Sequence, residues 1–202
     1  ECDRMIGACE RAGVLLQINH NRRWKSDWVQ AQQLLTDGVI GDLNNIQCFM
    51  DGGKPDPSWR SDNEGPLLHD FCHYFDLMDL YAGGIDWLCG MVEQRTRPWP
   101  VEDFSAVFMK FKSGATGVIN CSEITNYENH SFTLTGSEGV ICMDGEQVRL
   151  FRSDPADVEA DSGFEWRNLA EVEVERPAPN STYTTALDEL LDALEDKCEL
   201  RS

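Results

Sequence analysis

The sequence has few basic side chains and none of the common nucleotide-binding motifs. It contains 17 Lys and Arg residues against 36 Asp and Glu residues, so its formal net charge is −19. Because such a charge repels phosphate groups, the composition excludes nucleic acid and anionic membranes as partners. A glycine-rich dinucleotide fingerprint, a phosphate loop and a nucleophile elbow are also absent. The 202 residues therefore carry no recognisable apparatus for binding a nucleotide.

Three further absences narrow the class of protein. No apolar run approaches the roughly 18 residues of a membrane span, and no basic-then-apolar leader opens the sequence. The eight cysteines include no Cys-x-x-Cys pair and have no regular spacing. In a chain of this length, that pattern favours free thiols over a disulfide framework or a structural zinc site. We therefore expect a soluble, cytoplasmic protein with one good-sized domain or two small ones.

The patterns that are present alternate between helix and strand. Apolar residues at helical spacing predict helices over residues 1–12, 26–37 and about 183–194. Residues 14–18 have the composition of a short buried strand. A period of two predicts further strands over 42–50, 87–96, 104–112, 115–122, 132–134, 140–143 and 147–151.

Short turns fix how these strands pair. Ser113-Gly114 and Asp144-Gly145 each join two predicted strands, and such short connections force antiparallel pairing. An edge strand is indicated near Trp166, Val172 and Val174. The sequence therefore predicts an antiparallel sheet of about six or more strands.

Two of the four histidines stand in one segment, residues 65–76, which reads as the start of a helix. Since a helix turns by about 100° per residue, His69, His73 and Asp76 would share one stripe of a single helix over 65–80. Imidazole and carboxylate groups held together in a cleft are typical of proton transfer or metal binding. A solvated polar face is the alternative interpretation, and the spacing leaves it open.

The same spacing suits a metal ion. His69 and His73 could reach one ion, with a third ligand drawn from Asp62, Glu64 or Asp76. The glutamate of the metalloprotease motif is missing, which weakens this hypothesis. Cys72 precedes His73 directly, but neighbouring helix residues point about 100° apart, so we interpret it as a core cysteine rather than half of a Cys–His dyad.

A second polar cluster, residues 20–24 (His-Asn-Arg-Arg-Trp), follows the strand predicted at 14–18. Loops at strand ends commonly deliver side chains to a functional site. The alternative is that Arg22 and Arg23 only pair with carboxylates of this acidic chain, and the sequence does not decide between the two.

Taken in order, several segments resemble the C-terminal part of one enzyme family. They are the helix at 1–12, the Asn-Arg-Arg-aromatic element within 18–24, the helix-to-strand passage at 34–42, Trp59-Arg60 with the glycine-led segment 65–76, and two hairpin turns at 108–115 and 134–139. They resemble the glucose-fructose oxidoreductase / inositol dehydrogenase / MocA-like family of NAD(P)-dependent sugar oxidoreductases. The resemblance implies an α+β fold, with a large open, mostly antiparallel sheet and helices packed on one face.

The resemblance also implies a domain division and residue roles. Residues 1–20 would be a remnant of the end of a Rossmann domain, and 21–202 the substrate-binding and oligomerisation domain. His73 takes the place of the family's catalytic histidine, which acts with a lysine and an aspartate on the substrate hydroxyl. The aspartate's usual position holds His69, so either His69 or Asp70 would assist. Substrate binding is implied for Asn21, Arg23, Trp59, Arg60 and Asp76.

The activity implied is hydride transfer between NAD or NADP and a sugar or polyol, in a homodimer or homotetramer formed through the sheet face. The lysine and the cofactor fold would precede Glu1. We therefore expect no bound cofactor and no metal in this chain, and no activity from it alone. Two other hypotheses remain: a metal-dependent hydrolase or lyase using His69, His73 and Asp76, and a non-catalytic oligomerisation module.

Overall fold

The computed structural model describes residues 1–52, 64–144, 147–161 and 164–200. Within these residues it contains five α-helices, one 3-10 helix and eight β-strands. The helices are α1 Cys2–Ala12, the 3-10 helix η1 Asn21–Trp24, α2 Ser26–Thr36, α3 Pro66–His69, α4 Cys72–Ala82 and α5 Thr182–Leu194. The strands are β1 Leu43–Asp51, β2 Ile85–Glu93, β3 Phe104–Phe111, β4 Thr116–Ser122, β5 Asn129–Gly136, β6 Gly139–Met143, β7 Val148–Asp161 and β8 Phe164–Val172.

All eight strands form one sheet, in the order β2-β3-β4-β1-β5-β6-β7-β8. The β1 strand runs parallel to β4 and antiparallel to β5. The other neighbouring pairs are antiparallel. This confirms the predicted α+β class with a large, mostly antiparallel sheet.

Helices α2 and α4 cover one face of the sheet and bury its core. Alternate residues of β1 point into this core, namely Ile46, Cys48 and Met50. Helix α4 contributes residues at helical spacing, namely Tyr74, Leu77, Met78 and Tyr81. Burying each such large apolar side chain stabilises the fold by about 1.5–3 kcal/mol. The predicted packing of helices on one face is therefore present.

The hairpin predicted at Ser113-Gly114 joins β3 to β4, and Gly114 has a positive φ of 97° that glycine adopts without strain. The edge strand predicted near Val172 is β8, which ends the sheet. Gly145 lies outside the described residues, so the Asp144-Gly145 turn does too, although β6 and β7 are antiparallel as that turn requires.

The strand predicted at 14–18 is wrong. These residues are neither helix nor strand, and Val14, Leu15 and Ile18 are each about half exposed. A strand needs a neighbour for its backbone hydrogen bonds, and the sheet of the described residues offers this segment no place.

The single helix predicted over 65–80 is also wrong, because the segment breaks at Asp70 and Phe71. Asp70 leaves the helical region with φ −128°, and α4 begins only at Cys72. Phe71 is 1% exposed, so the break turns its ring into the core. His69 therefore stands at the end of α3 and His73 in the first turn of α4, and the predicted common stripe does not exist.

No helix in the described part of the chain has both the length and the apolar character required to span a bilayer.

Candidate active site

Two histidines that lie 53 residues apart in the sequence meet between η1 and α4. The Nδ1 atoms of His20 and His73 are 3.2 Å apart, within hydrogen-bond distance, and their rings stand at right angles. His20 directly precedes η1, and Trp24 in that short helix is 1% exposed and donates from Nε1 to Glu189 of α5. The burial of Trp24 and its hydrogen bond to Glu189 fix the position of the neighbouring His20.

An Arg–Asp pair supports the two histidines. Arg23 donates from Nε and Nη2 to both carboxylate oxygens of Asp76, at 2.7 and 2.6 Å. This two-point contact is the geometry that arginine and carboxylate groups favour, and it raises the pKa of Arg23. One oxygen of the Asp76 carboxylate also lies 3.9 Å from Nε2 of His20. Asp76, His20 and His73 thus form a row.

The charged side chain of Arg22 lies close to His73 of the same row. Its guanidinium lies over the Tyr74 ring, 4.1 Å from the ring centre, and Nη2 is 3.6 Å from Asp70. Both arginines of the predicted polar cluster therefore pair with the chain's own carboxylates. Arg22 also acts on His73 through its charge.

Burial, reinforced by the charge of Arg22 and by His20, lowers the pKa of His73 from its ordinary value of 6.5. A lowered pKa keeps the imidazole neutral near neutral pH, and a neutral imidazole accepts a proton. The imidazole of His73 is therefore chemically able to accept a proton.

Cys72 differs from the prediction of a core cysteine. It is half-buried rather than buried, and one ligand atom from each of Cys72, His20 and His73 lies within 4.8 Å of the others. Burial, together with the negative charge of Asp70, raises the pKa of the Cys72 thiol. Among the described residues, this is the one group of three that has the proximity required of metal ligands.

His69 belongs to a different environment. Its Nε2 lies 3.4 Å from the buried carboxylate of Glu123, and its Nδ1 lies 3.4 Å from the backbone oxygen of Glu64. Of the predicted metal set, His73 and Asp76 thus both approach His20, whereas His69 lies apart from them against Glu123.

Of the remaining predicted site residues, only Asn21 lies in the part of the chain that the structure describes. The Asn21 amide donates to the hydroxyl of Tyr183 on α5, at 3.5 Å. Trp59 and Arg60, with Asp62, lie outside the described residues. Sequence reasoning missed His20 as a site residue, although the polar cluster at 20–24 was recognised. The only signal available was that His20 opens this cluster.

An open cavity of about 550 Å³ lies beside His20 and Asp76 of this row. Its lining combines polar residues, including His20, Cys72 and Asp76, with apolar residues, including Leu67, Phe75 and Leu88. A largely apolar cleft with a few polar groups is typical of a site that holds a small organic molecule.

Comparison with known families decides the affiliation of this fold. The sequence profile described as the GFO/IDH/MocA C-terminal domain matches residues 28–142, more than half of the chain. The chain belongs to this family. The domain match covers most of the sheet and both helices that pack on it.

Curated relatives share the same region. D-apiose dehydrogenase from Paraburkholderia graminis is 26% identical over 154 residues, which are 70% of this chain and 40% of the relative. Myo-inositol 2-dehydrogenase from Thermotoga maritima is 26% identical over 155 residues, 71% of this chain and 45% of the relative. A 2,7-anhydro-N-acetylneuraminate hydratase from Mediterraneibacter gnavus is 25% identical over 154 residues, 71% of this chain and 41% of the relative. The chain thus spans less than half the length of these relatives.

Solved structures share the fold. An oxidoreductase from Agrobacterium radiobacter, in complex with NAD+, L-tartaric acid and magnesium, superimposes with a TM-score of 0.80 at 17% identity, over 98% of this chain and 60% of that one. The WlbA dehydrogenase from Bordetella pertussis, in complex with NADH and UDP-GlcNAcA, gives a TM-score of 0.76 at 20% identity, over 99% of this chain and 58% of that one.

Proposed function

We propose that the intact protein is an NAD(P)-dependent oxidoreductase that transfers a hydride between the nicotinamide and a hydroxyl-bearing carbon of a sugar or polyol. The observation that carries the proposal is the contact of His73 with His20, a residue that lines an open cavity, in a chain of this family. The named activities of the curated dehydrogenases support the substrate class.

The contacts of His73 support Nε2 as the nitrogen that acts. If His20 carries its proton on Nε2, facing the Asp76 carboxylate, its Nδ1 accepts a hydrogen bond from Nδ1–H of His73. Nε2 of His73 then holds a lone pair. In the direction of oxidation, Nε2 takes the hydroxyl proton while the carbon releases its hydride, which leaves a carbonyl group.

The row of side chains stabilises the charge that this step creates. Protonated His73 gains from the nearby carboxylate of Asp76, which Arg23 holds in place. His20 accepts the hydrogen bond from Nδ1–H of His73. His20 is thus a positioning residue that fixes the tautomer of His73. In this proposal it takes the position for which His69 and Asp70 were the candidates.

The cofactor lies outside the described residues in this proposal. A bound nicotinamide supplies or accepts the hydride, and a dinucleotide-binding domain beyond the 202 residues holds it. Residues 1–20 are the end of that domain, and 21–202 bind the substrate and a second copy of the chain. The 202 residues alone have no turnover.

The test is reduction of NAD+ and NADP+ by a panel of sugars and polyols, using the full-length protein. His73→Asn should lower kcat by about a hundredfold or more, because a positioned base contributes about 10²–10⁴-fold. His130→Asn, at a histidine outside the row, should retain turnover. Unchanged turnover in His73→Asn rules out His73 as the base. Turnover by the 202-residue chain alone refutes its proposed dependence on a second domain.

His20→Gln tests the positioning role separately. It should lower kcat less than His73→Asn does and should shift the acid limb of the pH profile, because His20 affects the pKa of His73. A kcat and pH profile identical to those of the unmodified protein would remove His20 from the proposal but leave His73 in it.

A further inference from the structure

We propose that His20, Cys72 and His73 form a binding site for one thiophilic divalent cation, represented by Zn²⁺. Two imidazoles and one thiol supply the ligand atoms, which lie within 4.8 Å of one another. The site differs from the metal set predicted from helical spacing and depends on no step of the proposed catalysis.

The separation of the two imidazole nitrogens matches a tetrahedral ion. Zinc–nitrogen bonds are about 2.0–2.1 Å long, so two vertices of a tetrahedron stand about 3.3 Å apart. The two Nδ1 atoms are already 3.2 Å apart. A cation can therefore replace the hydrogen bond with little movement of either ring.

The third ligand decides which ions fit. Imidazole and thiolate ligands prefer zinc and copper, whereas magnesium and calcium prefer oxygen. An ordinary cysteine thiol is largely protonated near neutral pH. Binding therefore proceeds as Zn²⁺ plus Cys–SH to a zinc thiolate plus one proton, which passes to the solvent.

The surroundings complete the arrangement. A histidine that binds a metal commonly presents its other nitrogen to a carboxylate, and Nε2 of His20 faces Asp76 at 3.9 Å. Three protein ligands leave a fourth coordination position open. That position is available to water, because both His20 and Cys72 line the open cavity.

Occupation of the site has a consequence for His73, and this one consequence rests on the proposed function. A neutral imidazole that binds an ion through Nδ1 carries its proton on Nε2. His73 then has no lone pair for the substrate hydroxyl. Zinc should therefore inhibit the full-length enzyme, with reversal by a chelator.

The experiment measures binding without turnover. Untagged, chelator-treated protein is titrated with Zn²⁺ against a chromophoric chelator and with Co²⁺ in an absorption spectrometer. We expect one equivalent of either ion and a cobalt–thiolate absorption band. Cys72→Ser should abolish that band and weaken zinc binding by about tenfold or more. The matched control Cys89→Ser, at an exposed thiol on β2, should change neither.

Three results would overturn the site: less than one equivalent of bound ion, an unchanged cobalt band in Cys72→Ser, or loss of the band in Cys89→Ser. Circular dichroism and thermal melting of the metal-free variants verify folding. If Cys72→Ser does not fold, His20→Gln decides, because it should keep the thiolate band but weaken zinc binding. Equal zinc affinity in His20→Gln contradicts the proposal. Metal binding with an inactive full-length enzyme would refute the proposed function alone.

Discussion

At the scale of single residues, the side chains that affect the pKa of His73 most come from another segment of the chain. Its pKa is lowered first by burial, then by the charge of Arg22 and by His20. Both of these residues lie in the segment before η1 and in η1 itself, far from His73 in the sequence. Substitutions that change the charge of residues 20–24 should therefore alter the pKa of His73 in α4.

Arg22→Met tests this influence. Removing the guanidinium removes a cause of the lowered pKa of His73, so the pKa should rise. The neutral base then exists only above a higher pH, so the acid limb of the kcat/KM profile should move to higher pH. Arg22→Lys keeps the charge and should leave the limb close to its original position. An unmoved limb in Arg22→Met would refute the electrostatic role.

The Arg23–Asp76 ion pair should contribute to the free energy of unfolding. Its side chains are 13% and 11% exposed, so each single change removes a close opposite charge from a largely buried charged group. We expect Arg23→Met or Asp76→Asn to lower the free energy of unfolding by about 2–3 kcal/mol each. The double variant should lose less than the sum of the two. Strict additivity in urea denaturation would show that the contact contributes nothing.

At the scale of elements, local signals predicted most of the sheet, and long-range contacts built the site. The alternation in β1 and the turn at Gly114 are local, so the sequence revealed them. The approach of His20 to His73 depends on Trp24 docking against α5 and on the break at Phe71. No pattern of sequence spacing predicts either the docking of Trp24 or the break at Phe71. For this reason the predicted stripe of His69 and His73 was wrong while the fold class was right.

The start of α3 offers an element-scale prediction. The backbone N–H of Leu67 donates to the Glu102 carboxylate at 3.1 Å, and a Cβ on Gly65 would collide with that carboxyl group. Gly65→Ala should therefore displace Glu102 and lower the free energy of unfolding by about 1 kcal/mol, the usual value of a lost N-terminal cap. Glu102→Ala should lower it similarly, and the double variant no further. Two full, additive losses in chemical denaturation would exclude a shared cause.

At the scale of the whole molecule, the sheet face opposite α2 and α4 is open and partly apolar. Phe49, Trp87 and Phe108 are 39–47% exposed there, and the rings of Trp87 and Phe108 are 5.6 Å apart. Their neighbours Cys48, Met50, Val107 and Met109 point the other way into the core. The prediction of a homodimer or homotetramer through this face therefore remains open to a direct test.

Phe108→Asp provides that test. A carboxylate at the centre of an apolar interface is left unpaired and desolvated, so the variant should be monomeric where the unmodified protein is dimeric or tetrameric. Leu68→Asp changes an exposed leucine on α3, 63% exposed, and should leave the oligomer intact. Light scattering reads the mass of each. A monomeric unmodified protein, or an unchanged oligomer in Phe108→Asp, contradicts the prediction.

The central position of β1 governs the order in which the molecule is assembled. Its parallel partner β4 pairs Asn45 with Thr116, 71 residues later in the chain, and β5 follows on its other side. During synthesis, β1 is therefore the first strand of the sheet to emerge. The backbone hydrogen-bonding groups at its two edges have no strand to pair with until β4 and β5 follow. The β3–β4 and β5–β6 hairpins, which lie on either side of β1 in the sheet, form from residues that are close together in the sequence. Folding of this sheet should be slow for its size, because its centre closes last.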